Sequence, residues 1–218
     1  MCGRFTLYSS LNHVKKVFGV DNVTGEMKPS YNIAPGDEVC AIIRQEDKRL
    51  GKLHWGLVPP WVKDLPRTSG LINARAETLA DKPSFKRAFR ERRCLIPADG
   101  FYEWKDRQPW YCAPAADTLF GFAGLWETWK GVDHAPHHSC AIITGEASES
   151  MRAIHDRMPV ILTPEAREAW LDPETTDPDT LRTILTDGRV TEIRTYPVSK
   201  FVNSPQNNDP RCIEPVSG

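Results

Sequence analysis

The sequence predicts an α+β fold: one β-rich domain over residues 1–218, built on a curved mixed or antiparallel sheet or barrel with short flanking helices. Three observations predict it. Strand-like runs outnumber helical ones about two to one. They do not alternate with helices in the regular βα rhythm of a parallel sheet. The 18 prolines and 14 glycines cut the chain into short segments with no repeat, low-complexity tract or long linker.

The elements follow in order. Residues 4–8, 38–44, 51–57, 94–97, 101–105, 110–113, 119–126, 140–144, 159–162 and 190–196 are short runs rich in Val, Ile and aromatic residues, bounded by turn formers. Ser10 is placed to cap a helix that carries Leu11, Val14, Val17 and Phe18 on one face. Further helices are expected over 84–92, 148–154 and 179–185. Thr163-Pro164-Glu165 reads as N-cap, first-turn proline and acidic first turn of a helix reaching Trp170.

Composition narrows the function. Lysine and arginine number 28 against 29 acidic residues, a formal charge of −1. That excludes a polycation driven by its tails, though not a local basic groove. No apolar run approaches the ~18 residues of a membrane helix, and MCGRFTLYSS lacks the pattern of a secretory signal. A cytoplasmic location is expected. The six cysteines have no C-x-x-C pair. Cys40, Cys94, Cys112 and Cys140 sit in apolar runs and read as small core residues. Cys2 differs, because packing explains a near-terminal cysteine poorly.

Removal of Met1 would leave an α-amine and a thiol on one residue, with ordinary pKa values near ~8 and ~8.5, so both are partly nucleophilic. Such an aminothiol condenses with an aldehyde to a Schiff base and then to a five-membered thiazolidine. The alternative is a frayed terminus. Five further segments carry candidates. In Leu71-Ile72-Asn73-Ala74-Arg75-Ala76-Glu77-Thr78, Asn73 offers a neutral donor and acceptor, and Arg75 either holds a phosphate or pairs with a carboxylate such as Glu77. Glu103, between Tyr102 and Trp104, is either a desolvated proton carrier or the solvent face of a strand. His155 precedes Asp156 and Arg157 between a helix and an apolar strand, where it transfers protons or stands idle beside a surface pair. Trp55 and Trp61 flank a proline loop suited to stacking on bases. Between Lys82 and Arg93 six cations face one anion, either a phosphate-facing surface or a solvated helix face. His134, His137, His138 and Cys140 match no zinc spacing, so neither a metal nor a cofactor is expected.

Taken together, the segments resemble the SOS-response-associated peptidase (SRAP) family, whose members shield abasic sites in single-stranded DNA. The resemblance is carried in family order by Met1-Cys2-Gly3-Arg4-Phe5, Tyr31-Asn32-Ile33-Ala34-Pro35, Trp55-Gly56-Leu57-Val58-Pro59, residues 72–78, residues 98–104, His155-Asp156-Arg157-Met158-Pro159 and Pro197-Val198-Ser199. It implies a β-rich domain with a basic channel leading to Cys2. Cys2 would be the nucleophile that forms a thiazolidine with the opened sugar, after Met1 is removed by the protein itself or by an aminopeptidase. Asn73 would bind near the amine and sugar, while Glu103 and His155 would move protons. Arg4, Trp61 and Arg75 would line the DNA path, with Val62 standing where the family has a second aromatic. Hydrolase chemistry on the Met1–Cys2 bond and lyase chemistry through the imine are implied as well. The partner would be single-stranded DNA containing abasic sites, bound by a monomer with no membrane involvement. Two other readings are an N-terminal cysteine hydrolase of small amides and a non-covalent single-strand binding module.

Overall fold

The computed structural model describes residues 2–66, 68–116, 119–131 and 135–216. The chain begins with β1 (Phe5–Leu7) and α1 (Leu11–Phe18). Ser10 caps α1 by accepting from the His13 N–H at 3.3 Å, and Gly19 ends it in the left-handed region at φ 59°. Three short-to-medium strands follow, β2 (Asn22–Val23), β3 (Ser30–Ile33) and β4 (Glu38–Arg44), then β5 (Lys48–Trp55) and β6 (Asn73–Arg75). After a 3-10 turn come α2 (Pro83–Glu91), β7 (Arg93–Ala98), β8 (Gly100–Lys105), β9 (Gln108–Pro114), β10 (Phe120–Trp129) and β11 (His137–Glu146). The last third holds α3 (Glu149–Arg152), β12 (Arg157–Pro159), β13 (Ile161–Leu162), α4 (Pro164–Leu171), α5 (Pro178–Asp187) and β14 (Ile193–Pro197).

Five strands close a barrel. β4 pairs with β5 and β7, β7 with β10, β10 with β11, and β11 returns to β5 in parallel. Closure removes the sheet edges that would otherwise invite pairing with other chains. A second sheet, ordered β14-β9-β8-β1-β3, lies against it. Phe5 of β1 packs edge-on against Trp55 and Phe122 of the barrel, at centroid distances of 5.1 and 5.7 Å, so one core joins the two sheets. The opposite face of the second sheet carries Tyr102 and Tyr111, buried under Val198, Val202 and Cys212 of the C-terminal segment. Gly100 lets Tyr111 cross close to the backbone: a Cβ there would lie 2.1 Å from the ring.

The expected α+β class and all five helices are present. Differences have local causes. The run at 159–162 divides because the chain changes partner within it. β12 pairs with β11, the Val160 N–H donates to the Ile143 carbonyl at 2.9 Å, and β13 then moves over to β10. β2, β3 and β6 escape the sequence because partners impose their extended form; β6, for example, runs parallel beside β11. The basic stretch also splits. Lys82, Lys86 and Arg90 face solvent, whereas Arg93 is buried and donates to the carbonyls of Trp170 and Asp172, each at 2.6 Å. Arg92 pairs with the buried Glu127 and lies over the Trp126 ring. Two of the six cations therefore hold the fold together. No described helix is long and apolar enough to cross a membrane.

Candidate active site

Register builds the first half of the site. Phe5 faces Phe101, and the Tyr102 N–H donates to the Arg4 carbonyl at 2.9 Å, so the β1–β8 ladder runs on toward Cys2. Glu103 is the next residue along β8, on the same face as Phe101 and the core. Both Cys2 and Glu103 are buried, at 0% and 3% exposure. The expectation that packing explains Cys2 poorly is thus corrected: it belongs to the main core cluster. Burial raises the thiol far above its ordinary range, and the Glu103 charge raises it further. Burial also pushes the Glu103 carboxyl up, while the nearby His155 pulls it down. Glu103 is therefore not on the solvent face of its strand.

The second half comes from the barrel. β6 lies beside β11 with Asn73 opposite Ile142, which carries the Asn73 side chain to the amino terminus. Its Nδ2 donates to the Cys2 carbonyl at 2.9 Å. Its Oδ1 is buried with no hydrogen-bond partner among the described residues, an acceptor open to an amine or hydroxyl. His155 lies between α3 and β12, where its Nδ1 is 2.9 Å from the Arg157 amide and 2.7 Å from Asp156 Oδ1. The neutral ring accepts the amide N–H, which leaves its proton on Nε2.

Sequence offered Glu77 as a partner for Arg75, and the fold decides otherwise. Arg157 grips Glu77 through two nitrogens at 3.2 and 3.0 Å, bridging the turn after β6 to β12. Burial acts to raise Glu77, but Arg157 outweighs it and the carboxyl lies below its ordinary range. Arg75 makes no ion pair among the described residues and stays exposed in an open cleft with Arg152, Asp156 and Arg157. Trp61 is 56% exposed at the tip of the β5–β6 loop. Arg4 is half-buried and turned inward: its Nη1 donates to Asn32 Oδ1 at 2.7 Å and to the Val202 carbonyl at 3.0 Å. That partner, Asn32, has no role that the sequence alone suggests. The one available signal is a lone amide in the otherwise apolar Tyr31-Asn32-Ile33-Ala34-Pro35.

Among the described residues no group of three or more His, Cys, Asp or Glu side chains is arranged for a metal. His134 lies outside the described residues. His137 sits 5.0 Å from the His54 ring, His138 bonds Thr128 Oγ1 at 2.9 Å, and Cys140 is core.

The fold and site together describe a β-barrel protein with a buried cysteine near its amino terminus, a desolvated carboxylate acting on that cysteine and an imidazole acting on the carboxylate. Comparison makes this specific. The chain belongs to the SOS response associated peptidase (SRAP) family, whose family model matches residues 1–205. It is 47% identical to abasic site processing protein YoqW of Bacillus subtilis (strain 168), covering 98% of this chain and 99% of that one. It is 30% identical to abasic site processing protein HMCES of Xenopus tropicalis, over 90% of this chain and 69% of the relative. A solved structure from Bacteroides thetaiotaomicron shares the fold with a TM-score of 0.87, at 24% identity over 99% of this chain and 100% of that one. A phage-related protein from Bordetella bronchiseptica gives a TM-score of 0.72 at 32% identity, covering 90% and 94% of the two chains.

Proposed function

We propose that this protein recognises abasic sites in single-stranded DNA and joins itself to them through Cys2 once Met1 has been removed. The relatives' shared description as abasic site processing proteins supports the lesion. The observation that carries the chemistry is the convergence of Asn73 on the Cys2 carbonyl with the fields of Glu103 on the thiol and of His155 on Glu103.

The steps balance without a cofactor. The freed α-amine adds to the C1′ aldehyde of the opened sugar, and loss of one water gives an imine. The thiol sulfur then adds to the imine carbon and its proton passes to the nitrogen, closing the thiazolidine. The thiol must give up its proton as the sulfur adds, so that proton needs a carrier, and Glu103 is the carboxylate acting on it. As the sugar ring opens, His155 donates its Nε2–H to the ring oxygen, which becomes the free sugar hydroxyl, and the proton leaving the C1′ hydroxyl restores the imidazole through solvent. Asn73 Oδ1 orients the amine. Arg75 holds a backbone phosphate and Trp61 stacks on a base, while Arg4 serves DNA binding through the chain start that it secures. Ring closure removes the imine, the species from which β-elimination would cut the strand, so lyase activity emerges when the sulfur is slow to add. The same thiol, Glu103 and His155 are the groups for hydrolysis of the Met1–Cys2 amide, although Met1 itself lies outside the described residues.

The test is direct. Processed protein incubated with a labelled single strand carrying one abasic site should give a heat-stable, slowly migrating species. Cys2→Ala should give none, and Cys2→Ser only a borohydride-trapped one. A full yield of stable adduct from Cys2→Ala would overturn the assignment.

A further inference from the structure

The loop between β5 and β6 carries Trp61, Leu65 and Leu71, three of the four exposed large hydrophobic side chains among the described residues. A long surface loop of this kind moves unless it is tied, and this one is tied at successive heights. At its base Leu57 and Leu71 exchange backbone hydrogen bonds of 3.0 and 3.1 Å. One residue on, the Val58 N–H donates to the buried Ser139 Oγ at 2.9 Å. Near the tip, Trp129 Nε1 donates to the Val62 carbonyl at 2.8 Å.

The first two ties secure the stem, and the third reaches the residue next to Trp61. The Val62 N–H also turns back to the Pro59 carbonyl at 3.3 Å, so the stretch that bears Trp61 is closed on itself and held from below. Trp129 ends β10 and is 2% exposed. Gly131 passes so close over its ring that a Cβ there would come within 2.2 Å. The barrel rim therefore sets the direction of this indole N–H.

We propose that Trp129 is a positioning residue for nucleic-acid binding: its buried N–H holds the Val62 carbonyl and so presents the Trp61 ring ready to stack on a nucleobase of the bound strand. This rests on the reading above that Trp61 faces the DNA. A ring ordered before binding loses less freedom on stacking than one that must first be captured.

The experiment is a double-mutant cycle read by anisotropy of a labelled, undamaged single strand, which isolates binding from the covalent step. Trp61→Ala should weaken affinity by roughly tenfold, as for loss of one base stack. Trp129→Phe, which keeps a ring but loses the N–H, should weaken it about threefold to fivefold, the scale of one hydrogen bond. The double variant should bind no more weakly than Trp61→Ala alone, and Trp129→His, which retains a ring N–H, should recover part of the loss. A merely structural Trp129 would give additive losses and no recovery, which would overturn the inference, as would wild-type affinity in Trp129→Phe. Wild-type affinity in Trp61→Ala would overturn the parent reading and this inference with it. If Trp129→Phe does not fold, nitrogen-15 spectra of the wild-type indoles decide. The Trp129 N–H should resist exchange and shift together with that of Trp61 on adding the strand; an unmoved or freely exchanging resonance would overturn the proposal.

Discussion

Replacing Asn32 by alanine tests how the amino terminus is held. Asn32 is 3% exposed, and its Nδ2 donates to the carbonyls of Val202, Ser204 and Asn207 at 3.1, 2.9 and 2.7 Å. Its Oδ1 accepts from Arg4 at 2.7 Å. Two N–H groups serve three carbonyls, so one of these bonds is shared. Each neutral bond contributes about 1 kcal/mol net and the charge-assisted one about 1.5–3, for a sum of roughly 3–5 kcal/mol. Arg4 keeps its bond to Val202, which trims the expected cost of Asn32→Ala to about 3–4 kcal/mol. For a domain of this size that lowers Tm by about 6–16 °C. Denaturant titration should show the midpoint falling with an unchanged slope. Crosslinking should slow as well, since Arg4 lies two residues from Cys2. Asn32→Asp still accepts from Arg4 but sets a carboxylate against three carbonyls, and should be at least as unstable. A loss below about 1 kcal/mol in Asn32→Ala, the scale of a surface substitution, would refute this account of how the C-terminal segment secures the chain start.

Glu103→Gln should slow the covalent step while leaving affinity for undamaged single strands unaltered. Because burial raises the Glu103 carboxyl, the wild-type rate should climb with pH through a range above the ordinary carboxylate value, and the Gln variant should lose that rise; equal pH profiles would sink the role. Arg75→Ala should weaken non-covalent binding and reduce the salt slope by roughly 0.7 for each phosphate no longer neutralised, checked by titration at several ionic strengths. Gly56→Ala should unfold the base of the Trp61 loop, because Gly56 has φ 144° and a Cβ there would fall 1.3 Å from the Ser69 carbonyl oxygen. Limited proteolysis between β5 and β6 should detect it, and an unchanged digestion pattern would contradict the steric argument.

Much of the local structure is legible in the residues themselves. Capping and first-turn proline chemistry at Ser10, Thr163 and Pro164 marks helices that begin where expected, because those signals act over three or four residues. Alternating aromatic and β-branched runs mark most strands, and the spaced motifs name the family. The chemical types at the site are visible too: an aminothiol at Cys2, an amide at Asn73, a carboxylate at Glu103 and an imidazole at His155. What these residues face is not. A strand residue points inward or outward according to its register against a partner far away in sequence, and for Glu103 that partner is β1. Glu77 looks like a neighbour for Arg75, yet the β11–β12 pairing delivers Arg157 to it and leaves Arg75 exposed. The cations at Arg92 and Arg93 look like surface, yet the packing of α2 and α4 on the barrel turns them inward. Composition and spacing determined which chemistry the chain carries. Strand pairing and helix packing decided which groups meet, because pairing and burial are set between segments tens to hundreds of residues apart and are written in neither segment alone.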